Sequence, residues 1–245
     1  MTTLKKTLFI SDLHLDSQHP LITGWFLQLL KQDHSNVDAL YILGDLFETW
    51  IGDDAKQEFH DEIIQALRTA TQNGLPIYLM HGNRDFLIGR QFLQATGCQL
   101  LSDETIISLY GNNVLLMHGD TLCTRDTAYL KWRKIARNRL VQCLFLHLFP
   151  LHTRQKIANK MRAKSADYTQ HAAAEIMDVT QEEVERVMKK HDVQFLIHGH
   201  THQPNKHEFT LQQKPAMRIV LDAWHKQGNM LIWDSEGKKE LIWFK

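Results

Sequence analysis

The sequence predicts an α/β fold, in which a largely parallel, helix-covered sheet packs against a second, more antiparallel sheet. Three observations predict it. From residue 8 to residue 80, short apolar runs alternate with amphipathic helical segments, the rhythm of strands joined by right-handed crossovers. From residue 105 the rhythm changes to strand patterns separated by short Gly-containing turns. Five of the apolar runs end directly in Gly and in Asp, Asn or His, and in open α/β sheets ligands collect beyond the carboxyl ends of the strands.

Leu8-Phe9-Ile10 begins the first strand, which stops at Ser11 and Asp12. Ile22, Trp25, Phe26, Leu29 and Leu30 then fall on one face at helical spacing. Ala39 to Leu43 is a continuous apolar run, as a strand covered on both faces requires. A helix is expected over residues 56–72, closed by Asn73-Gly74 with Pro76 beyond it. The strand Ile77–Met80 delivers His81-Gly-Asn-Arg-Asp85. Thr105–Tyr110 and Val114–Met117 read as a hairpin. Thr180-Gln-Glu-Glu183 is a capping-box pattern that opens a helix carrying Val184, Val187 and Met188. The late strands Phe195–Ile197, Arg218–Leu221, Met230–Trp233 and Glu240–Trp243 are expected to complete the second sheet.

One segment belongs to neither sheet. Residues 127–166 hold ten Lys or Arg and no Asp or Glu, and they enclose the apolar stretch Leu140–Leu151, broken by Pro150. Two helices around Pro150, apolar on one side and basic on the other, are the economical reading. Placed directly after Met117-His-Gly-Asp120, this insertion would overhang a site at the strand ends. The alternative is a solvated basic helix pair with a small core of its own.

The chain has 245 residues and no formal net charge, so it is read as one domain, 1–245, with no global electrostatic pull towards nucleic acid or an anionic membrane. Three cysteines without a CxxC pattern argue against a disulfide framework and a structural zinc site, and they suit a reducing cytoplasm. The opening Met-Thr-Thr-Leu-Lys-Lys lacks the apolar run of a secretory signal. The expectation is a soluble protein, or one that lies against a membrane.

The strand ends carry the chemistry. Asp12 and His14, two residues apart, are expected in extended backbone with their side chains on one side. Asp45 follows a Gly that permits close approach of the backbone, and it is the candidate bridge between two ions. Asn83 offers an amide oxygen, His118 a nitrogen, and His200 with His202 a second same-side pair. His81 and His198 precede their glycines and read as supporting or core histidines. Oxygen and imidazole donors without thiolate favour Mn, Fe or Zn, and a water activated there would attack a phosphorus centre. The high count of fifteen histidines agrees with such a centre.

Asp-x-His, Gly-Asp, Gly-Asn-Arg-Asp, His-Gly-Asp and Gly-His-x-His, in this order, resemble the motif set of the calcineurin-like metallophosphoesterases, over nearly the whole chain. The resemblance implies a four-layer α/β/β/α sandwich with an inserted helical cap. It also implies Asp12, His14, Asp45 and His202 around one metal, and Asp45, Asn83, His118 and His200 around the other. Arg84 stands where the common motif carries His. Arginine is not a general acid at neutral pH but binds phosphate in a bidentate manner, which suits a phosphate leaving group from a diphosphate.

The stretches 39–54, 81–87, 117–124 and 197–202 further resemble the UDP-2,3-diacylglucosamine hydrolase family of lipid A biosynthesis. That resemblance implies two Mn2+ per chain and attack of water on the α-phosphorus of UDP-2,3-diacylglucosamine, with catalysis by Asp45, Asn83, Arg84 and His118. It implies substrate contacts at Asn83, Arg84, Asp126, Arg162, Ser165, Thr169, Ala172 and His200. The family pattern Met-Arg-Ala-x-Ser-x3-Asn-x2-Lys departs at two of these, which here are Thr169 and Ala172, with Gln170 or His171 as nearby substitutes. The cap would hold the acyl chains, and the enzyme would work at the cytoplasmic face of the inner membrane, peripherally, with no nucleic-acid partner. The alternatives are a related phosphodiesterase or phosphatase acting on a soluble nucleotide, and a non-catalytic scaffold. The scaffold would require missing ligands, and none of the seven is missing.

Overall fold

The computed structural model describes residues 4–55, 57–171 and 178–245, with the side chains of 166–171 outside that description. In β1 (Lys6–Ile10), Leu8 and Ile10 join one apolar cluster and Phe9 another, the period-two division of a strand buried on both faces. β2 (Val37–Leu43) divides in the same way. Leu40 and Ile42 go with Leu8, whereas Ala39, Tyr41 and Leu43 go with Phe9. Helices α1 (Pro20–Lys31), α2 (Glu58–Gln72) and α3 (Arg90–Thr96) close the first cluster with Phe26, Ile63, Leu67 and Phe92. β3 (Ile77–Met80) and β4 (Gln99–Leu100) continue the parallel pairing from β2.

The expected helix over 56–72 begins at Glu58, where Gln57 and His60 form a reciprocal capping box. β5 (Thr105–Leu109) and β6 (Asn112–Leu116) form the expected hairpin.

The insertion contains three helices rather than two: α4 (Thr127–Ala136), α5 (Arg139–Leu148) and α6 (Leu151–His171). The additional break falls at Asn138, whose side chain accepts the Leu140 and Val141 N–H groups and so starts α5. α6 also runs past residue 166, the boundary read from the sequence. Among the described residues 127–165 the cap shows no core of its own, since Arg154 is the only buried side chain there.

After the cap, α7 (Gln181–Lys190) starts where the Thr180 signal placed it. Thr180 does not cap it, since its hydroxyl lies 2.7 Å from that of Thr124. β7 (Phe195–His198), β8 (Asn205–Leu211) and β9 (Lys214–Val220) complete a sheet ordered β5-β6-β7-β9-β8. Leu116, Ile197 and Ile219 of this sheet pack with Phe9 and Tyr41. Leu115 and Leu196 pack instead with Val184, Val187 and Met188 of α7. Three apolar clusters thus separate helices, sheet, sheet and helix, which is the α/β/β/α order.

Two late strands depart from expectation. β10 (Gly228–Asp234) pairs antiparallel with β1, with Phe9 opposite Leu231, and β11 (Lys239–Phe244) pairs with β10. They belong to the first sheet, and both sheets are mixed. Alternation specifies which residues are buried and not which strand lies alongside. Leu231 and Trp233 enter the cluster between the sheets, a burial that either sheet would satisfy.

Candidate metal centre

The backbone past each strand tip is held before any side chain converges. The Asp12 N–H donates to Gly44 O and the His14 N–H to Asp45 O, both at 3.0 Å. Gly199 N–H reaches His118 O at 2.9 Å, and Trp224 N–H reaches Asp12 O at 3.0 Å. The expected extended backbone at Asp12 and His14 is absent. Asp12, His14, Asp45, His200 and His202 all have positive φ, between 50° and 68°. Each such residue costs on the order of 1 kcal/mol or more. Extended chain would carry His14 roughly 6–7 Å beyond Asp12. The left-handed turns instead keep both donors at one point.

Glycine allows the approach of the carboxylates. A Cβ on Gly82 would lie 2.0 Å from Asp45 Oδ1, and one on Gly199 would lie 2.1 Å from Asp12 Oδ2. Asp45 Oδ1 accepts the Arg84 N–H at 2.8 Å, and Asp12 Oδ2 accepts the His200 N–H at 2.8 Å. Each carboxylate therefore commits one oxygen to the backbone and turns the other inward.

The inward atoms form two sets. Asp12 Oδ1 is 3.4 Å from His202 Nε2 and 4.0 Å from His14 Nε2. Asn83 Oδ1 is 3.0 Å from His118 Nε2 and 3.1 Å from His200 Nδ1. Asp45 Oδ2 stands between the sets, 4.0 Å from His14 Nε2 and 3.9 Å from His118 Nε2. All seven residues singled out in the sequence are thus brought together, with Asp45 shared.

The donor set fits a divalent cation. Asp12 Oδ1 and His14 Nε2 are buried and make no hydrogen bond, an arrangement that is costly without a positive charge between them. His118 Nδ1 faces Leu43 O at 2.9 Å and must donate to it, so in the neutral ring Nε2 presents a lone pair to the Asn83 oxygen. A cation between them reconciles the two. Burial alone would raise the Asp12 carboxyl pKa, but the His202 ring 3.4 Å from Oδ1 and the nearby His118 and His14 outweigh it and hold the pKa well below the carboxylate range. Burial likewise opposes charge on His14 and His118. For His14 the Glu48 carboxylate 3.1 Å from Nδ1, then Asp45 and Asp12, prevail, for His118 Asp45 and Asp12, and both pKa values rise. His200 moves the other way, to about 4, through burial and the charge of His118.

The remaining predicted residues lie around this centre. Arg84 points its guanidinium at Glu48, with Nη1 3.5 Å from Oε1, and Arg162 brings Nε to 3.2 Å from the same oxygen. Asp126 Oδ1 caps α4 by accepting the Tyr129 N–H. Ser165 is exposed on α6. The Thr169 side chain and all of Ala172 lie outside the described residues. His81 Nε2 bonds Ile88 O at 2.8 Å, and His198 bonds Gly199 O and Arg218, so neither ring faces the donors.

Four supporting residues escape the motif reading. Asp85 accepts the Leu46 and Gly82 N–H groups, both at 2.8 Å, and ties the Asp45 and Asn83 loops together. Asp120 is buried and receives Tyr129 Oη and Arg133 Nε from the cap. Arg137 donates to Gly82 O at 2.8 Å. Glu48 touches His14 and two arginines. The signals in the sequence were Asp85 and Asp120 inside the motifs themselves and Glu48 three residues past Asp45, but each needs a distant partner to acquire meaning.

A family model described as Calcineurin-like phosphoesterase matches residues 5–204. The chain belongs to the calcineurin-like phosphoesterases. This phosphoesterase is 52% identical over 238 residues to a UDP-2,3-diacylglucosamine hydrolase of Serratia proteamaculans, covering 97% of this chain and 98% of the relative. It is 52% identical over 233 residues to the protein of that name in Pseudomonas aeruginosa, covering 95% and 97%. The corresponding protein of Pseudomonas putida is 53% identical over 230 residues, covering 94% and 95%. The calcineurin-like phosphoesterase is accordingly a hydrolase with a divalent-metal donor set.

Proposed function

We propose that this hydrolase cleaves the diphosphate of UDP-2,3-diacylglucosamine, releasing UMP and 2,3-diacylglucosamine 1-phosphate, with two Mn2+ held by Asp12, His14, Asp45, Asn83, His118, His200 and His202. The observation that carries the reading is the position of Asp45 Oδ2 between two donor sets, beneath a cap both basic and apolar. Divalent ions bound there lower the pKa of water and neutralise phosphate charge. The protein's own groups do the rest. Arg84 and Arg162 offer guanidiniums at one edge of the centre, suited to bidentate phosphate contact. Water forms a bond to the α-phosphorus, and the bridging P–O bond breaks with its oxygen retained by the acyl-sugar phosphate. That phosphate needs no strong acid to leave, which agrees with Arg84 in the position after Asn83.

The cap supports the acylated substrate. On α5, Leu140, Leu144 and Leu148 recur at helical spacing and are 75%, 57% and 68% exposed, with Arg139 and Lys134 nearby in sequence. Such a stripe favours acyl chains or a membrane interface, and we read the enzyme as peripheral on the cytoplasmic face of the inner membrane. No helix among the described residues is long and apolar enough to cross a membrane. The test is product analysis with Mn2+ in 18O-water. UMP carrying the label, with unlabelled acyl-sugar phosphate, is expected. Label in the sugar phosphate, or equal turnover of UDP-glucosamine without acyl chains, rejects the reading.

A further inference from the structure

Glu48 has no part in the chemistry above, yet it sits where three parts of the molecule meet. Its backbone N–H donates to Leu15 O at 3.1 Å, beside the Leu15–Phe47 bridge that extends the β1–β2 pairing. Its side chain is therefore launched from a fixed point. One carboxylate oxygen, Oε2, lies 3.1 Å from His14 Nδ1, an ion-pair contact whose angle falls short of a hydrogen bond, and Nδ1 has no other partner among the described residues. The other, Oε1, lies 3.5 Å from Arg84 Nη1 and 3.2 Å from Arg162 Nε. Arg84 belongs to the loop after β3 and Arg162 to α6 of the cap, so one carboxylate gathers groups from the metal centre, the core and the cap. The three charged residues line a cavity of about 450 Å³ together with Gln18, Asn159 and Ala163.

The two oxygens have separable consequences. A carboxylate on the outer nitrogen of a metal-competent histidine fixes the ring so that the inner nitrogen faces the ion, and here the inner Nε2 faces Asp12 and Asp45. The second oxygen holds two guanidiniums that face a cavity large enough for a further anion. A phosphate group presents more acceptor oxygens than this single Oε1 and can offer each guanidinium a paired contact. We propose that Glu48 is a positioning residue with two roles: Oε2 orients His14 for the metal, and Oε1 occupies the place of a phosphate, keeping Arg84 and Arg162 gathered until the anionic substrate takes them over. The second role rests on the diphosphate reading above, and the first does not.

The two roles predict opposite behaviour of two variants of the full chain. Glu48→Gln keeps an acceptor for His14 but loses the charge that occupies the arginines. Glu48→Ala loses both. Mn2+ binding, titrated on EDTA-stripped protein, is expected to weaken about tenfold or more in Glu48→Ala and to stay within about threefold of the parent in Glu48→Gln. Inorganic pyrophosphate, titrated calorimetrically on the metal-free protein at fixed ionic strength, is expected to bind several-fold more tightly to Glu48→Gln than to the parent. Mn2+ affinity unchanged in Glu48→Ala overturns the first role, and pyrophosphate affinity unchanged or weakened in Glu48→Gln overturns the second. Should Glu48→Ala fail to fold, as judged by its melting curve, the near-isosteric Glu48→Gln decides alone, since a loss of Mn2+ affinity there also contradicts the first role. Neither titration requires turnover, so a wrong lipid substrate would show itself as absent hydrolysis with both binding results intact.

Discussion

Arg154 Nη1 donates to Asp54 Oδ1 at 2.8 Å, joining the cap to the loop that follows the Asp45 strand across 100 residues of chain. The same guanidinium reaches Ile51 O at 2.7 Å and Phe149 O at 3.0 Å. The described cap shows no apolar core of its own, and this buried cation attaches it together with Arg133 on Asp120 and Arg137 on Gly82 O. Arg154→Met preserves bulk but abandons two carbonyls and a carboxylate. It is expected to cost about 2–4 kcal/mol. Hydrogen exchange should accelerate across 139–165 and stay unchanged across 37–43. Uniform acceleration of both segments would show that Arg154 stabilises the whole fold rather than the cap.

Arg84→Ala should separate phosphate contact from metal binding. The Arg84 backbone N–H, which anchors Asp45 Oδ1 at 2.8 Å, survives the substitution. Activity is expected to fall about 10²-fold or more while metal content by elemental analysis stays at the parent value. Arg84→Lys should recover little, because a point charge does not replace a planar fork. Loss of metal in Arg84→Ala would refute the phosphate role.

Two glycines give opposite expectations. Gly82→Ala places a Cβ 2.0 Å from Asp45 Oδ1 and 2.3 Å from the Asp45 nitrogen, so the shared carboxylate must move. Metal affinity and activity should each drop at least about tenfold, the size of effect expected when a metal ligand loses its support. Gly24 lies exposed in α1, and a methyl group on its Cα would meet nothing within 4 Å. Gly24→Ala should stabilise the protein by about 0.5–1 kcal/mol through helix entropy, read from denaturant midpoints, with activity unchanged.

His60 makes stability depend on pH. Burial among Phe47, Trp50 and Phe59 pushes its pKa from 6.5 down to about 4, with Asp61 offsetting only part. Its neutral Nδ1 accepts the Gln57 N–H at 3.0 Å, a bond that protonation abolishes. The unfolded chain takes up this proton below pH 6.5 and the folded chain does so only near 4. The contribution is thus complete above 6.5 and declines as the pH falls towards 4. Between pH 7 and pH 5 the parent should lose about 1–2 kcal/mol more than His60→Gln, which keeps an acceptor at the same capping position. Parallel curves for the two proteins would rule out His60 as the source.

The centre was legible because strand ends are local. Gly44 before Asp45, Gly82 before Asn83 and Gly199 before His200 each place a donor at the tip of an apolar run, and that combination is written within a few residues. Strand and helix periods likewise located most elements, including the turn at Gly74 and the start of α7 after Thr180. The sequence by itself therefore determined the layered class and singled out the seven residues that the fold gathers at the strand ends. Only the tertiary structure decided which sheet receives β10 and β11, because alternation names a buried face and not a neighbour. It also decided that Asp12 and His14 turn left-handed, since that strain is tolerated only where bonds such as His14 N–H to Asp45 O hold it. And it decided that Arg133, Arg154 and Arg162, which read as part of a basic patch, pair with Asp120, Asp54 and Glu48. A charge acquires its partner only when distant chain segments are brought together, and no local pattern records which segments those are.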